Sequence, residues 1–150
     1  MFTIIQSPAD SALALQLRQW CIDEWGKIAP FTGSVAGLLM PAPLLAKKDD
    51  ELVGGLAFTG AALAGSDIQL LWVNAVFVQP AWRGQGIASQ LIRHAETVAA
   101  GAGFNAVYAL TDIPEMYRKL GWTVVRSSDN GYVLTRTLPG PPSDSAAPPA

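Results

Sequence analysis

Val76-Phe77-Val78-Gln79-Pro80-Ala81-Trp82-Arg83-Gly84-Gln85-Gly86-Ile87-Ala88-Ser89 is the stretch on which the fold turns. An apolar, β-forming run from Ile68 ends at Val78, a turn with two glycines follows, and helical periodicity begins at about Gly86. A helix N-terminus presents unpaired N–H groups and a partial positive charge, which suits a phosphate. Gly84 and Gly86 allow unusual dihedrals and close backbone approach, Ala88 is small, and Arg83 adds a cation. The loop lacks the G-x-G-x-x-G of dinucleotide folds and the Gly-Lys-Ser/Thr of a Walker loop. On spacing alone, a strand-to-helix turn without any ligand fits it equally well.

Outward from this stretch, the chain alternates strands and helices irregularly. Phe2 to Gln6 reads as a strand. Ser7-Pro8 reads as the start of a helix whose buried face is Leu13, Leu17, Trp20 and Cys21, ending at Gly26 and Pro30. Phe31 to Pro43 reads as a loop with a short helix. Leu44 to Lys47 and Leu52 to Thr59 form two strands about an Asp49-Asp50 turn, and Gly60 to Asp67 is a small-residue loop. The central strand is Ile68 to Val78. The next helix, Gly86 to Ala100, buries Ile87, Leu91, Ile92, Ala95 and Val98. Asn105 to Leu110 is a strand, Ile113 to Leu120 a short helix, and Trp122 to Val125 with Tyr132 to Leu138 a hairpin about Asn130-Gly131. This order predicts a mixed α/β sheet. Residues 1–138 read as one domain and residues 139–150, rich in Pro, Ser and Ala, as a mobile tail.

Composition narrows the function. Of 150 residues, half are hydrophobic and 15% charged, so the chain is globular; a net charge of -2 implies no general affinity for nucleic acid. No secretory pattern opens the sequence and no apolar stretch reaches about 18 residues, so neither export nor a membrane span is expected. The one cysteine, Cys21, forbids an internal disulfide and fits a reducing compartment, so a cytoplasmic location is expected. No His/Cys/carboxylate cluster suggests a metal site. His94, the sole histidine, lies off the buried stripe of its helix and reads as an exposed residue.

Two motifs together resemble one family. Arg83-Gly84-Gln85-Gly86-Ile87-Ala88 is similar to the pyrophosphate-binding Arg/Gln-x-x-Gly-x-Gly/Ala of the Gcn5-related N-acetyltransferases (GNAT). Val78-Gln79-Pro80 and Trp82 match what precedes it in that family. After the next strand, Met116-Tyr117-Arg118-Lys119-Leu120-Gly121-Trp122 resembles the family's Phe-Tyr-x-Lys-x-Gly-Phe. The resemblance covers about residues 44–138.

The resemblance implies a mixed sheet of six or seven strands, helices on both faces, and a splay between the fourth and fifth strands. It implies acetyl-CoA as cofactor, with pyrophosphate on the amides from Gly84 to Ser89, including Gln85 and Ile87. Pantetheine would lie along Val76, Phe77 and Val78, and a backbone N–H there would polarise the thioester. The acceptor would be a small-molecule or peptide amine. Such an amine, with a pKa of about 10.4, is neutral in only about one molecule in a few thousand at pH 7, so its proton must be removed. Tyr117 matches the general acid for the leaving thiolate; a buried tyrosine anchoring the short helix is the plainer alternative.

The family's frequent glutamate base has no counterpart among Trp72, Val73, Asn74, Ala75, Asn105 and Tyr108. Asn74 could hold a water. Asp112 and Glu115 read first as residues that cap and charge the helix start. Trp20, Trp25 and Phe31 lie where the family builds its acceptor pocket, and core packing explains Trp20 as well. Many members are homodimers, though no pattern here requires one. A CoA-binding module without transfer activity is the rival reading, kept open by the missing carboxylate.

Overall fold

The computed structural model describes residues 2–28, 31–63 and 65–139. Expectations for Pro30 and for nearly all of the 139–150 tail fall outside these residues, as does the side chain of Asn74.

Nine strands and three helices follow in the order β1 (Thr3–Gln6), α1 (Ala12–Trp25), β2 (Ser34–Val35), β3 (Leu38–Leu39), β4 (Leu44–Lys48), β5 (Glu51–Ala62) and β6 (Gln69–Val78). Then come α2 (Ile87–Gly101), β7 (Ala106–Thr111), α3 (Glu115–Lys119), β8 (Thr123–Ser128) and β9 (Gly131–Thr137). Seven strands form one sheet in the order β1-β4-β5-β6-β7-β9-β8, antiparallel except at β6–β7. This is the expected mixed sheet with seven strands.

Helices cover both faces. On one, Leu17 and Cys21 of α1 pack with Leu45, Leu52, Ala57, Ala75 and Phe77. On the other, Ile87, Leu91, Ile92, Ala95 and Ala99 of α2 and Tyr117 of α3 pack with Val53, Leu56, Phe58, Leu71 and Val73. Full burial of each such large aliphatic side chain is worth about 1.5–3 kcal/mol. Val98, expected in the buried stripe, is only half-buried, and Ala99 takes its place.

Three local expectations are corrected. α1 is capped by Ser11, not Ser7: the Ala14 N–H donates to Ser11 Oγ, while Pro8 forms a preceding turn in which Ser11 N–H donates to its carbonyl. Both serines are competent caps, and the turn at Pro8 selects the second. The segment expected to hold a short helix forms the two-stranded pair β2–β3 instead, with Ala36 and Gly37 at positive φ in its turn. β5 continues through the expected small-residue loop to Ala62, because Gly60, Ala61 and Ala62 pair with Leu71, Leu70 and Gln69. Ladder pairing overrides the weak strand propensity of small residues.

An irregularity in β6 positions the site. Ala57 pairs with Ala75 and Thr59 with Trp72, so β6 spends one more residue than β5 across this step. Such a bulge reverses the alternation of faces. Leu71 and Val73 accordingly join the α2-side core, whereas Ala75 and Phe77 join the α1-side core. Glycine lets β5 sit close to this strand. A Cβ on Gly54 would stand 2.8 Å from the Phe77 carbonyl oxygen. Gly54→Ala is therefore expected to destabilise the fold by about 1–3 kcal/mol, read as a lower urea midpoint at unchanged m-value. A neutral substitution would show that the β6 backbone yields freely here.

Candidate active site

β6 and β7 run parallel, and among the described residues Trp72 pairs with Tyr108. The two rings meet there at 5.5 Å, and the Trp72 indole N–H donates to the Ala61 carbonyl at 2.9 Å. Toward the C-terminal ends of the two strands a groove opens between them. Val76, Phe77 and Val78 stay paired with Leu56, Gly55 and Gly54 on one edge and have no strand partner on the other. An open edge of this kind accepts an extended ligand through backbone hydrogen bonds.

The gap widens into a groove of about 940 Å³. Val76 to Val78 and Tyr117 line it, as do Arg83 and every residue from Gly84 to Ser89 except Gln85, which is exposed outside it. The far wall comes from Leu110, Thr111 and Asp112.

The loop that enters α2 is shaped by its glycines. Gly84 and Gly86 have φ of +82° and +83°, left-handed values that side chains disfavour, and a Cβ on either would meet nothing within 4 Å. Gly86 is the N-cap and supplies no side-chain acceptor. The first helical hydrogen bond of α2 runs from Gln90 N–H to the Gly86 carbonyl. The amides of Ile87, Ala88 and Ser89 thus have no intrahelical acceptor and face the groove end with the positive pole of a 15-residue helix. Arg83 folds back on the strand: its Nε donates to the Val78 carbonyl at 2.8 Å and its guanidinium lies 5.6 Å over the Phe77 ring. This cradle of free amides and one cation has the donor set for a pyrophosphate.

Tyr117 stands at the other end. It is 6% exposed, and its ring meets Trp122 edge-on at 5.1 Å. Its hydroxyl makes no hydrogen bond with a described residue. No buried side-chain polar atom among the described residues lacks a partner, so the hydroxyl opens on the groove. Burial pushes the Tyr117 phenol up to about 12, because desolvation disfavours the phenolate. It therefore keeps its proton at neutral pH and can donate it.

The aromatic residues near the end of α1 divide. Phe31 is buried beneath the Arg18 guanidinium, Trp20 packs against Phe77 at 5.7 Å, and Trp25 is about half exposed and lines the groove. Asp112 lines the groove rather than capping α3, whose N-cap is Pro114 with no side-chain bond. Glu115 pairs with Arg118 at 3.0 Å on the surface. Tyr108 is taken up by Trp72, and Asn105 lies exposed before β7. His94 is exposed and bonded to the Gln90 carbonyl. Cys21 is fully buried and its thiol is pushed up to about 11 by desolvation, only partly offset by Arg18, so it carries no reactive thiolate.

Ile28, Ile113, Met116 and Asn130 also line the groove. Sequence reasoning did not assign them to the site, although Ile113, an apolar residue three positions before the second motif, was a visible signal. Among the described residues no group of three or more His, Cys, Asp or Glu could hold a metal, and no helix is long and apolar enough to cross a membrane.

The profile of the acetyltransferase (GNAT) domain family matches residues 42–124, more than half of the chain. The chain belongs to the GNAT acetyltransferase family. Among its relatives, the peptidyl-lysine N-acetyltransferase YjaB of Salmonella typhimurium is 35% identical over 97 residues, 63% of this chain and 60% of that protein. The chain thus matches somewhat over half the length of that relative. A GNAT family acetyltransferase from Brucella melitensis, solved in complex with acetyl-CoA, shares the fold at a TM-score of 0.64. It has 23% identity, with 95% of this chain and 92% of that one covered. NAA60 of Arabidopsis thaliana, solved with a bisubstrate analogue, does so at a TM-score of 0.64 and 17% identity, covering 93% of this chain and all of that one. These likenesses place the GNAT fold on the whole sheet, including strands outside the matched segment.

The shifted phenol has a consequence for stability. Below pH 10 both folded and unfolded states hold the Tyr117 proton; between pH 10 and about 12 the unfolded chain loses it first, so stability falls as pH rises. Across this window the wild type should lose on the order of 2 kcal/mol more than Tyr117→Phe does, measured by urea unfolding against pH. Parallel curves would show that the phenol is solvated.

Proposed function

We propose that this protein transfers the acetyl group of acetyl-CoA to an amine, by direct attack with both substrates bound in the groove between β6 and β7. One observation carries the reading: an unpaired strand edge, a helix N-terminus with free amides and a buried phenol open on the same cleft. The amides from Gly84 to Ser89, with Arg83, hold the pyrophosphate, and Val76 to Val78 pair with the pantetheine arm. Acetyl-CoA supplies an activated thioester; the protein supplies orientation and charge stabilisation.

A backbone N–H of Val76 to Val78 stabilises the developing oxyanion. The amine nitrogen bonds to the carbonyl carbon, the carbon–sulfur bond breaks, and the Tyr117 hydroxyl gives its proton to the leaving sulfur. The amine's proton leaves through water, which restores Tyr117. Glu24 and Asp112, the carboxylates lining the groove, favour the approach of a cationic amine. The name of the Salmonella relative supports a lysine-type acceptor, in a peptide or a small molecule. A single buried cysteine supports work in the reducing cytoplasm.

Thermal unfolding with acetyl-CoA, CoA, ATP and NAD tests the cofactor. A ligand at a hundred times its Kd adds about 2.7 kcal/mol, so acetyl-CoA and CoA should raise Tm and the other two should not. Gly86→Trp should remove that shift while leaving the unliganded Tm near the wild type; an unchanged shift would move the cofactor elsewhere. Tyr117→Phe should lower kcat with little change in acetyl-CoA affinity, followed by released thiol on an amine panel. Wild-type turnover in that variant would take Tyr117 out of the chemistry. A shift without turnover on any amine would leave a binding module.

A further inference from the structure

Behind Tyr117 lies a polar cluster that the reaction as described does not use. The Trp122 indole N–H donates to Glu96 Oε2 at 2.9 Å. The other carboxylate oxygen of Glu96 lies 3.5 Å from Arg136 Nε. Arg136 Nη1 in turn donates to the Gly121 carbonyl at 2.9 Å. Gly121 has φ of +97°, and a Cβ there would collide with the Arg136 guanidinium. The Trp122 backbone N–H closes the turn onto the Tyr117 carbonyl at 3.0 Å. Four segments are tied together in this way: α2 through Glu96, α3 through Tyr117, the turn at Gly121–Trp122, and β9 through Arg136.

The cluster is costly for mere packing. The Glu96 side chain is only 14% exposed, and a carboxylate withdrawn from water needs a charge partner and good donors to be tolerated. An indole can be buried with a simpler carbonyl acceptor. What the carboxylate adds is direction: two oxygens fixed by Trp122 and Arg136 set the plane of the indole, and the Tyr117 ring rests edge-on against that indole at 5.1 Å. Glu96 also lies ten residues along α2 from Gly86, about 15 Å on a rigid helix. The helix that presents its N-terminus to the groove therefore also carries the anchor behind the phenol.

We propose that Glu96 is a positioning residue for Tyr117, acting through the Trp122 indole that it fixes. The proposal rests on reading Tyr117 as the proton donor, and concerns where its hydroxyl is held. Loss of the carboxylate frees the indole, and the phenol loses its fixed place in the groove.

The test compares Glu96→Ala with Glu96→Gln, whose amide oxygen can still accept from the indole. Glu96→Ala should lower kcat by about ten-fold or more, as expected for a misplaced reacting group, with acetyl-CoA Kd nearly unchanged. Glu96→Gln should recover most of that loss. Independently of turnover, the Tyr117 ring resonances carry the ring-current shift of the adjacent indole. They are assigned by their disappearance in Tyr117→Phe. In Glu96→Ala that shift should collapse toward an averaged value, and in Glu96→Gln it should persist. Unchanged Tyr117 resonances in Glu96→Ala would overturn the proposal. So would a loss expressed in acetyl-CoA affinity, or a Gln variant no better than Ala. Should Tyr117→Phe turn over like the wild type, the acid reading fails, while the resonances still decide whether Glu96 holds the ring.

Discussion

The parting of β6 from β7 is the constraint on which the rest depends. Parallel strands normally continue their ladder, and here the strand edge of Val76 to Val78 carries no ladder to β7 among the described residues, with Trp72 and Tyr108 paired further back. The tilted ring contact and the indole bond to Ala61 make that junction firm. A bulge just beyond Trp72 turns the faces of β6 over. The same backbone that is core at Val73 thereby offers Val76 to Val78 to an open cleft. An unpaired strand edge is ordinarily a liability; here it lies inside a groove between two strands of one sheet, where another sheet has little access.

Everything else in the site is arranged around that gap by packing. α2 is seated by five buried side chains, which leaves its N-terminal amides no choice of direction. α3 is too short to be stable alone, and Tyr117 itself is its buried anchor. The residue proposed as the proton donor is therefore also what holds its own helix in place. Burial of the ring bears out the anchoring reading of this tyrosine, and its place on the groove is what the proposed acid role rests on.

Electrostatics follow the same division. The cationic and amide-rich end of the groove lies at the loop before α2, and carboxylates reach it from α1 and from the β7–α3 connection. The proposed transfer from a thioester to an amine needs both signs of charge at separate points of one cleft. A chain of net charge -2 supplies this by placement, not by composition.

The sequence by itself determined most of the elements and the two motifs. Val76 to Ser89 announces a strand, a glycine turn and a helix start through local chemistry, and the left-handed φ of Gly84 and Gly86 is a local requirement. The buried stripe of α2 is legible from its period. The hairpin at Asn130-Gly131 is legible from its turn residues. The cap of α1 lies four residues beyond Ser7, because Ser7 and Ser11 are chemically equal and only the turn at Pro8 separates them. β2 and β3 were invisible because two-residue strands have no period to read. The bulge was hidden because Leu70 to Val78 is apolar on nearly every residue, so no alternation records the change of face. Tertiary structure alone decided which aromatic of α1 opens on the groove, that Asp112 lines it without capping a helix, and that Glu96 stands behind Trp122, 26 residues away. Those contacts join residues distant in the chain, and local sequence carries no term for them.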